Sequence, residues 1–185
     1  VSKDLALKQA VNTTLILVED PYVAFTILLQ KYQEMTAERE TGRAVVEPYG
    51  RDQGDSLMPM IETRDGTHLY AKVWGEGRPV VLIHGWPLSG DSWDPISHAL
   101  AEAGFKAIAY DRRGFGRSSQ PSGGYDYDTV ADDLAAVMER HCDGQDAALV
   151  GFSMGGGEVA RYLSRHGGKG VSQVALISAV VPYML

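Results

Sequence analysis

The chain has 185 residues, 44% of them hydrophobic and 22% charged, with a net charge of −7 and a single cysteine. That length supports one well-filled core, with or without an appendage, and the negative balance argues against nucleic acid or an anionic membrane surface as the main partner. Cys142 has no second cysteine to pair with, and the apolar runs over residues 15–18 and 23–29 fall short of the roughly 20 residues of a membrane span, so a cytoplasmic protein is the default expectation.

Residues 1–38 read as a helical segment of unknown role. Leu5, Leu7, Ala10, Val11, Leu15 and Val18 recur at helical spacing, and Asp20-Pro21 marks a cap followed by proline at the start of a second helix carrying Phe25, Leu28, Leu29, Tyr32 and Met35. Residues 39–57 turn polar and glycine-containing, as in a linker. Met58-Pro59-Met60 would make a natural start for a domain over 58–185, so 1–57 are expected to be a fusion or upstream read-through rather than part of that domain.

After Met58, Met60 to Thr63 and His68 to Trp74 are strand-like runs around the turn signal Asp65-Gly66. Val80 to Ile83 is an apolar run of the kind found in a covered parallel strand, and it ends in His84-Gly85-Trp86-Pro87. A helix is expected from about Ser92 to Ala103, with Trp93, Ile96 and Leu100 on one face. A strand over 106–110 comes next, then a helix from Thr129 to His141 with Asp128 as its cap and Val130, Leu134, Val137 and Met138 facing inward. Strands alternating with helices imply an α/β fold, a mostly parallel sheet with helices on both faces and chemistry at the strands' carboxyl ends.

The stretch around which these elements are organised is Gly151-Phe152-Ser153-Met154-Gly155, between the apolar run 147–150 and a helix from about Met154 to Arg165. A G-x-S-x-G in that setting is a nucleophile elbow, a tight turn that lifts a serine hydroxyl above a parallel sheet. Gly151 and Gly155 are expected because a β-carbon would crowd so sharp a bend, and the helix's free N–H groups suit a developing oxyanion. Ser153 is therefore the candidate nucleophile. Cys142, at a helix end with no glycine turn to expose it, is expected to be a bystander.

Taken together, His84-Gly85-Trp86-Pro87, the segment Tyr110-Asp111-Arg112-Arg113-Gly114-Phe115-Gly116-Arg117-Ser118 and Gly151-Phe152-Ser153-Met154-Gly155-Gly156 resemble the α/β-hydrolase superfamily. Within it the resemblance is to the cofactor-free haloperoxidases, also called serine perhydrolases or arylesterases. It covers 58–185 and implies Ser153 as the attacking group, the backbone N–H groups of Trp86 and Met154 as the oxyanion hole, and Gly151, Gly155, His84, Gly85 and Pro87 as elbow and loop support. His84 is expected to brace the oxyanion loop rather than act as the base, with Asp111, Arg113, Arg117 and Ser118 bracing the next loop. Pro87 restricts the backbone of Trp86 and admits a cis bond. In the resembled group the Trp86 carbonyl would then accept a hydrogen bond from peroxide, so that hydrogen peroxide competes with water for the acyl group. The implied substrate is a small ester or carboxylic acid, without a cofactor or metal. A homo-oligomer is left open.

The triad of this fold runs serine, acid, histidine along the chain, yet no aspartate comes after Ser153 and the only later histidine, His166, lies about three turns along the elbow's own helix. Glu158 reads as a helix-surface or polar-contact residue rather than the acid. The acid and base are expected on later loops, with this chain being the N-terminal portion of the domain, ending after about the sixth strand and inactive by itself. Two other readings remain: a non-catalytic interaction module built from an incomplete fold, and an enzyme whose acid and histidine come from another polypeptide. A metalloenzyme is disfavoured because the five histidines lack ligand spacing. A dinucleotide fold is disfavoured because Gly114-Phe115-Gly116 lacks the third glycine, and a haloalkane dehalogenase because it would need a carboxylate at position 153.

Overall fold

A computed structural model of the chain describes residues 60–180. The expected N-terminal helices, the linker, Met58 and the stretch 181–185 lie outside the described residues. Six strands form one sheet: β1 (Met60–Glu62), β2 (His68–Trp74), β3 (Arg78–Ile83), β4 (Phe105–Tyr110), β5 (Ala147–Phe152) and β6 (Val171–Ile177). They lie in the order β1-β2-β4-β3-β5-β6. β1 and β2 form a hairpin across Asp65-Gly66, closed by Thr63 N–H on the Thr67 carbonyl at 2.9 Å, and β2 runs antiparallel to β4. The remaining pairings, β4 with β3, β3 with β5 and β5 with β6, are parallel.

Three helices make the crossovers: α1 (Asp94–Glu102), preceded by a 3₁₀ turn at Gly90–Trp93, α2 (Tyr127–His141) and α3 (Met154–His166). The chain moves one way across the sheet from β3 to β4 and the opposite way from β4 to β5 and β6. Right-handed crossovers therefore put α1 on one face and α2 with α3 on the other. Alternation along the strands matches. Val81, Ile83, Ile108 and Tyr110 pack with Leu134, Val137, Val159 and Tyr162, whereas Val80, Leu82, Ala107 and Ala109 pack with Trp93, Ile96 and Leu100. Each strand residue thus faces one of two cores, which explains why β3 reads as continuously apolar.

Several boundaries differ from expectation. α2 begins two residues earlier than its apolar pattern, and its cap is Asp126, not Asp128: the Asp126 backbone is extended and its carboxylate accepts from Thr129 N at 3.0 Å. Asp128 sits in the first turn and pairs with Arg161 on α3. β1 stops at Glu62 because Thr63 already closes the hairpin, with its hydroxyl on Asp65 at 2.7 Å. Among the described residues no helix is long and apolar enough to cross a membrane.

Candidate functional site

The sheet's strand order reverses around β3, so the crevice beyond the carboxyl ends of β3 and β5 is where an open α/β sheet receives a ligand. Both sequence motifs converge there. Ile83, the last residue of β3, is in register with Gly151 near the end of β5, so the two strands deliver His84-Gly85-Trp86-Pro87 and the Ser153 turn side by side.

Ser153 is partly exposed and takes φ +51°, ψ −117° between β5 and α3. Such a conformation in a residue with a β-carbon costs on the order of 1–3 kcal/mol and persists only when its surroundings fix it. Here they do. Ser153 N–H donates to the Ile177 carbonyl at 3.0 Å, and the Ser153 carbonyl accepts from Gly156 N and Val180 N, each at 3.0 Å. The flanking glycines are needed for space. Neither has a positive φ; instead a β-carbon at Gly151 would come within 2.7 Å of the Gly155 carbonyl, and one at Gly155 within 2.5 Å of the Ile83 carbonyl. The crowding expected at the two glycines is what the geometry shows, and the positive φ is carried by the serine itself.

Met154 is the first residue of α3, whose opening N–H groups have no partner inside the helix. Gly85 lies against the elbow: a β-carbon there would approach the Ser153 β-carbon to 2.9 Å and the Phe152 carbonyl to 3.1 Å. Trp86 is next, with its side chain 69% exposed, and its bond to Pro87 is cis.

His84 is completely buried. Its Nε2 lies 3.0 Å from the backbone N–H of Arg112, which can only donate, so the ring proton sits on Nδ1 and donates to the Gly85 carbonyl at 2.9 Å. Burial, with a contribution from the Arg112 charge, holds its pKa down at about 4. His84 is thus a neutral brace for the β3 loop. His166 is engaged with Asp132 at 2.8 Å, on the outer side of α2 and α3.

The loop after β4 is braced as expected. Asp111, fully buried, accepts from Gly90 N and Arg117 N, each at 2.7 Å, and the Ser118 hydroxyl donates to the Asp111 carbonyl at 2.5 Å. Arg113 makes a two-pronged contact with Asp133 at 2.5 and 2.6 Å and reaches Asp65 at 2.8 Å. Sequence reasoning missed the role of Arg112 and half-missed Glu158. Glu158 is not on the helix surface but completely buried, accepting from Arg112 Nε at 2.5 Å and from the Tyr110 hydroxyl. No spacing signal links residues 46 apart; only the burial reveals them.

Cys142 is buried at the end of α2, and burial pushes its thiol up to about 11, which suits an inert core residue. Among the described residues no group of three or more histidine, cysteine or acidic side chains is gathered as metal ligands would be.

A family model described as alpha/beta hydrolase fold matches residues 78–184. The chain belongs to the alpha/beta hydrolase family. Similar to this hydrolase chain are non-heme chloroperoxidase CPO-A1 of Kitasatospora aureofaciens, 50% identical over 128 residues, and the bifunctional esterase/perhydrolase DCH of Acinetobacter calcoaceticus, 46% identical over 130 residues. These matches cover 69% of this chain and 46% and 47% of the respective relatives. The chain thus spans about half the length of the curated relatives it matches. Among solved structures, an esterase from Exiguobacterium antarcticum superposes with a TM-score of 0.65 at 39% identity, covering 68% of this chain and 47% of that one. A bromoperoxidase from Bacillus anthracis gives 0.63 at 52% identity, covering 67% and 45%. These confirm the α/β-hydrolase fold and the resemblance to the haloperoxidase and esterase group.

Proposed function

We propose that the whole protein hydrolyses small carboxylic esters through an acyl-enzyme on Ser153. The observation that carries this reading is the backbone of Ser153: a left-handed, strained serine at the mouth of β5, partly exposed and fixed by three backbone hydrogen bonds. An ordinary strand-to-helix turn has no need of such a conformation. The Ser153 oxygen attacks the ester carbonyl carbon, the carbonyl oxygen becomes an oxyanion facing the Trp86 and Met154 amides, and collapse expels the alcohol to leave the acyl group on Ser153. Water then takes the acyl group and regenerates the serine.

Removing the serine proton needs a base. His84 and His166 are both held elsewhere, so the base and its carboxylate partner belong, in this proposal, to segments outside the described residues; without them residues 60–180 would retain at most weak oxyanion binding. Hydrogen peroxide as a second acyl acceptor, giving a peracid that can oxidise halide, is proposed from the similarity to proteins named esterase/perhydrolase and chloroperoxidase and from the Trp86-Pro87 pair.

The test uses protein expressed from the complete reading frame, wild type and Ser153→Ala. Wild type is expected to hydrolyse p-nitrophenyl acetate and to take up a fluorophosphonate probe. S153A is expected to lose the label and at least about 10³-fold in turnover. Equal labelling or equal turnover in S153A would overturn the assignment. Peracid formation from an ester and hydrogen peroxide, measured on the same protein, decides the peroxide arm; its absence beside robust esterase activity refutes that arm alone.

A further inference from the structure

Two backbone segments meet at Ser153, the start of α3 and the loop after β3, and a chain of buried side-chain contacts also joins them. Glu158 lies one turn beyond Met154 on the same face of α3, with 0% of its surface exposed. Its Oε2 accepts from Arg112 Nε at 2.5 Å, and its Oε1 accepts from the Tyr110 hydroxyl. The backbone N–H of that same Arg112 donates to His84 Nε2 at 3.0 Å, and His84 Nδ1 donates to the Gly85 carbonyl at 2.9 Å. The Gly85 carbonyl and the Trp86 N–H belong to one trans peptide plane, so fixing the carbonyl in direction fixes the N–H in the opposite direction. A second hydrogen bond, Leu88 N–H on the same Gly85 carbonyl at 2.9 Å, also anchors the plane.

We infer that Glu158 is a positioning residue for acyl transfer at Ser153: by holding Arg112, and through it His84, it sets the Trp86 amide relative to the Met154 amide carried on its own helix. The inference rests on the proposed reading of Ser153 and the two amides. A fully buried carboxylate is an expensive way to fasten a helix to a sheet, since an apolar pair of similar volume serves stability as well or better. What apolar packing does not supply is direction. The carboxylate accepts from one donor on each oxygen, one from the last residue of β4 and one from the loop beyond it, and so fixes α3 in rotation as well as in distance from that loop. Two amides that must meet on one oxygen need their relative orientation held to within about half an ångström.

The experiment compares wild type, Glu158→Gln, Tyr110→Phe and Ser153→Ala, all from the complete reading frame. Ester turnover is divided by the number of serines labelled at the end-point of fluorophosphonate reaction, so that misfolded molecules drop out of the comparison. E158Q keeps the side chain's shape but leaves Arg112 without its counter-charge. It is expected to lower kcat per labelled site by about tenfold with KM changed by less than about twofold, the pattern of an interaction made in the transition state. Y110F preserves the ring and frees one carboxylate oxygen; it is expected to lower kcat per site by about threefold at unchanged KM, and it answers the question should E158Q not fold. Loss of labelled sites with kcat per site unchanged in the folding variants, or a rise in KM alone, overturns the proposal and leaves Glu158 a structural residue only. S153A that remains as active as wild type overturns the reading of the site, and this inference with it; turnover that depends on Ser153 but is indifferent to both other variants overturns this inference alone.

Discussion

Gly155→Ala offers a test in which local propensity and tertiary packing predict opposite signs. Gly155 lies in the first turn of α3, and alanine in place of a helical glycine ordinarily gains about 1 kcal/mol. Here the added β-carbon would stand 2.5 Å from the Ile83 carbonyl oxygen, 2.8 Å from the Ile83 Cγ2 and 2.9 Å from the His84 carbonyl oxygen. A carbon–oxygen contact settles at about 3.3 Å or more, so α3 and the end of β3 must separate by roughly 0.8 Å, against backbone on both sides. Overpacking of that kind costs roughly 1–3 kcal/mol. Since the full propensity gain is not realised in a first turn, the net is a loss of about 1–2 kcal/mol and a fall of at least about 2 °C in midpoint. The same displacement carries the Met154 amide away from the β3 loop, and misplacement by most of an ångström lowers turnover by roughly 10- to 100-fold. Gly157→Ala is the internal control. The atoms nearest its β-carbon would be the hydroxyl and ring of Tyr127, at 2.6–2.8 Å, the far end of a side chain that can swing aside, so its loss should be clearly smaller. Thermal and denaturant midpoints of wild type, G155A and G157A decide the matter: a G155A midpoint equal to or above wild type refutes the close approach of α3 to β3.

Ser153→Gly relieves a positive φ that glycine tolerates and should raise stability by about 1 kcal/mol, read from denaturant unfolding; a destabilised S153G would show that the serine backbone is not strained. Arg113→Met leaves Asp133 buried without its two-pronged partner, which predicts a loss of about 3–5 kcal/mol by the same measurement, while the paired change Arg113→Met with Asp133→Leu recovers most of it. His141 has its pKa lowered to about 4, first by burial and then by the Arg140 and Lys106 charges, and its Nε2 is buried without a partner. Below pH 6.5 the unfolded chain takes up a proton that the folded imidazole refuses. The His141 contribution, up to about 3 kcal/mol, is therefore complete above pH 6.5 and lost as pH falls towards 4. The stability difference between wild type and His141→Gln, tracked across that window, should shrink by about 1.4 kcal/mol per pH unit at most; a constant difference refutes it.

Local sequence was enough to place the elbow, because the bend, the serine and the two glycines fall within five residues between a strand and a helix. The two cores were also legible: Val80 to Ile83 reads as apolar throughout because α1 covers one side of β3 while α2 and α3 cover the other. Errors arose where neighbouring residues compete for one role. Asp126 and Asp128 both qualify as a helix cap on composition, and only the extended backbone at Asp126 settles which carboxylate faces the Thr129 N–H. What no local pattern discloses is the fate of Arg112, Arg113 and Arg117, which in sequence form a small basic cluster. In the fold Arg112 pairs with Glu158 of α3, Arg113 with Asp133 of α2 and Asp65 of the hairpin, and Arg117 with Asp111 and Asp91. The Arg112 and Arg113 charges are paired inside the molecule, whereas Arg117 pairs with its two carboxylates at the surface, making the loop after β4 the junction that fixes the hairpin, both helices and, through the Arg112 backbone, the His84 loop. Because each of these partners comes from a different element, the arginines can be understood only once the topology is known, and a substitution in this loop should disturb the surroundings of Ser153 without touching it.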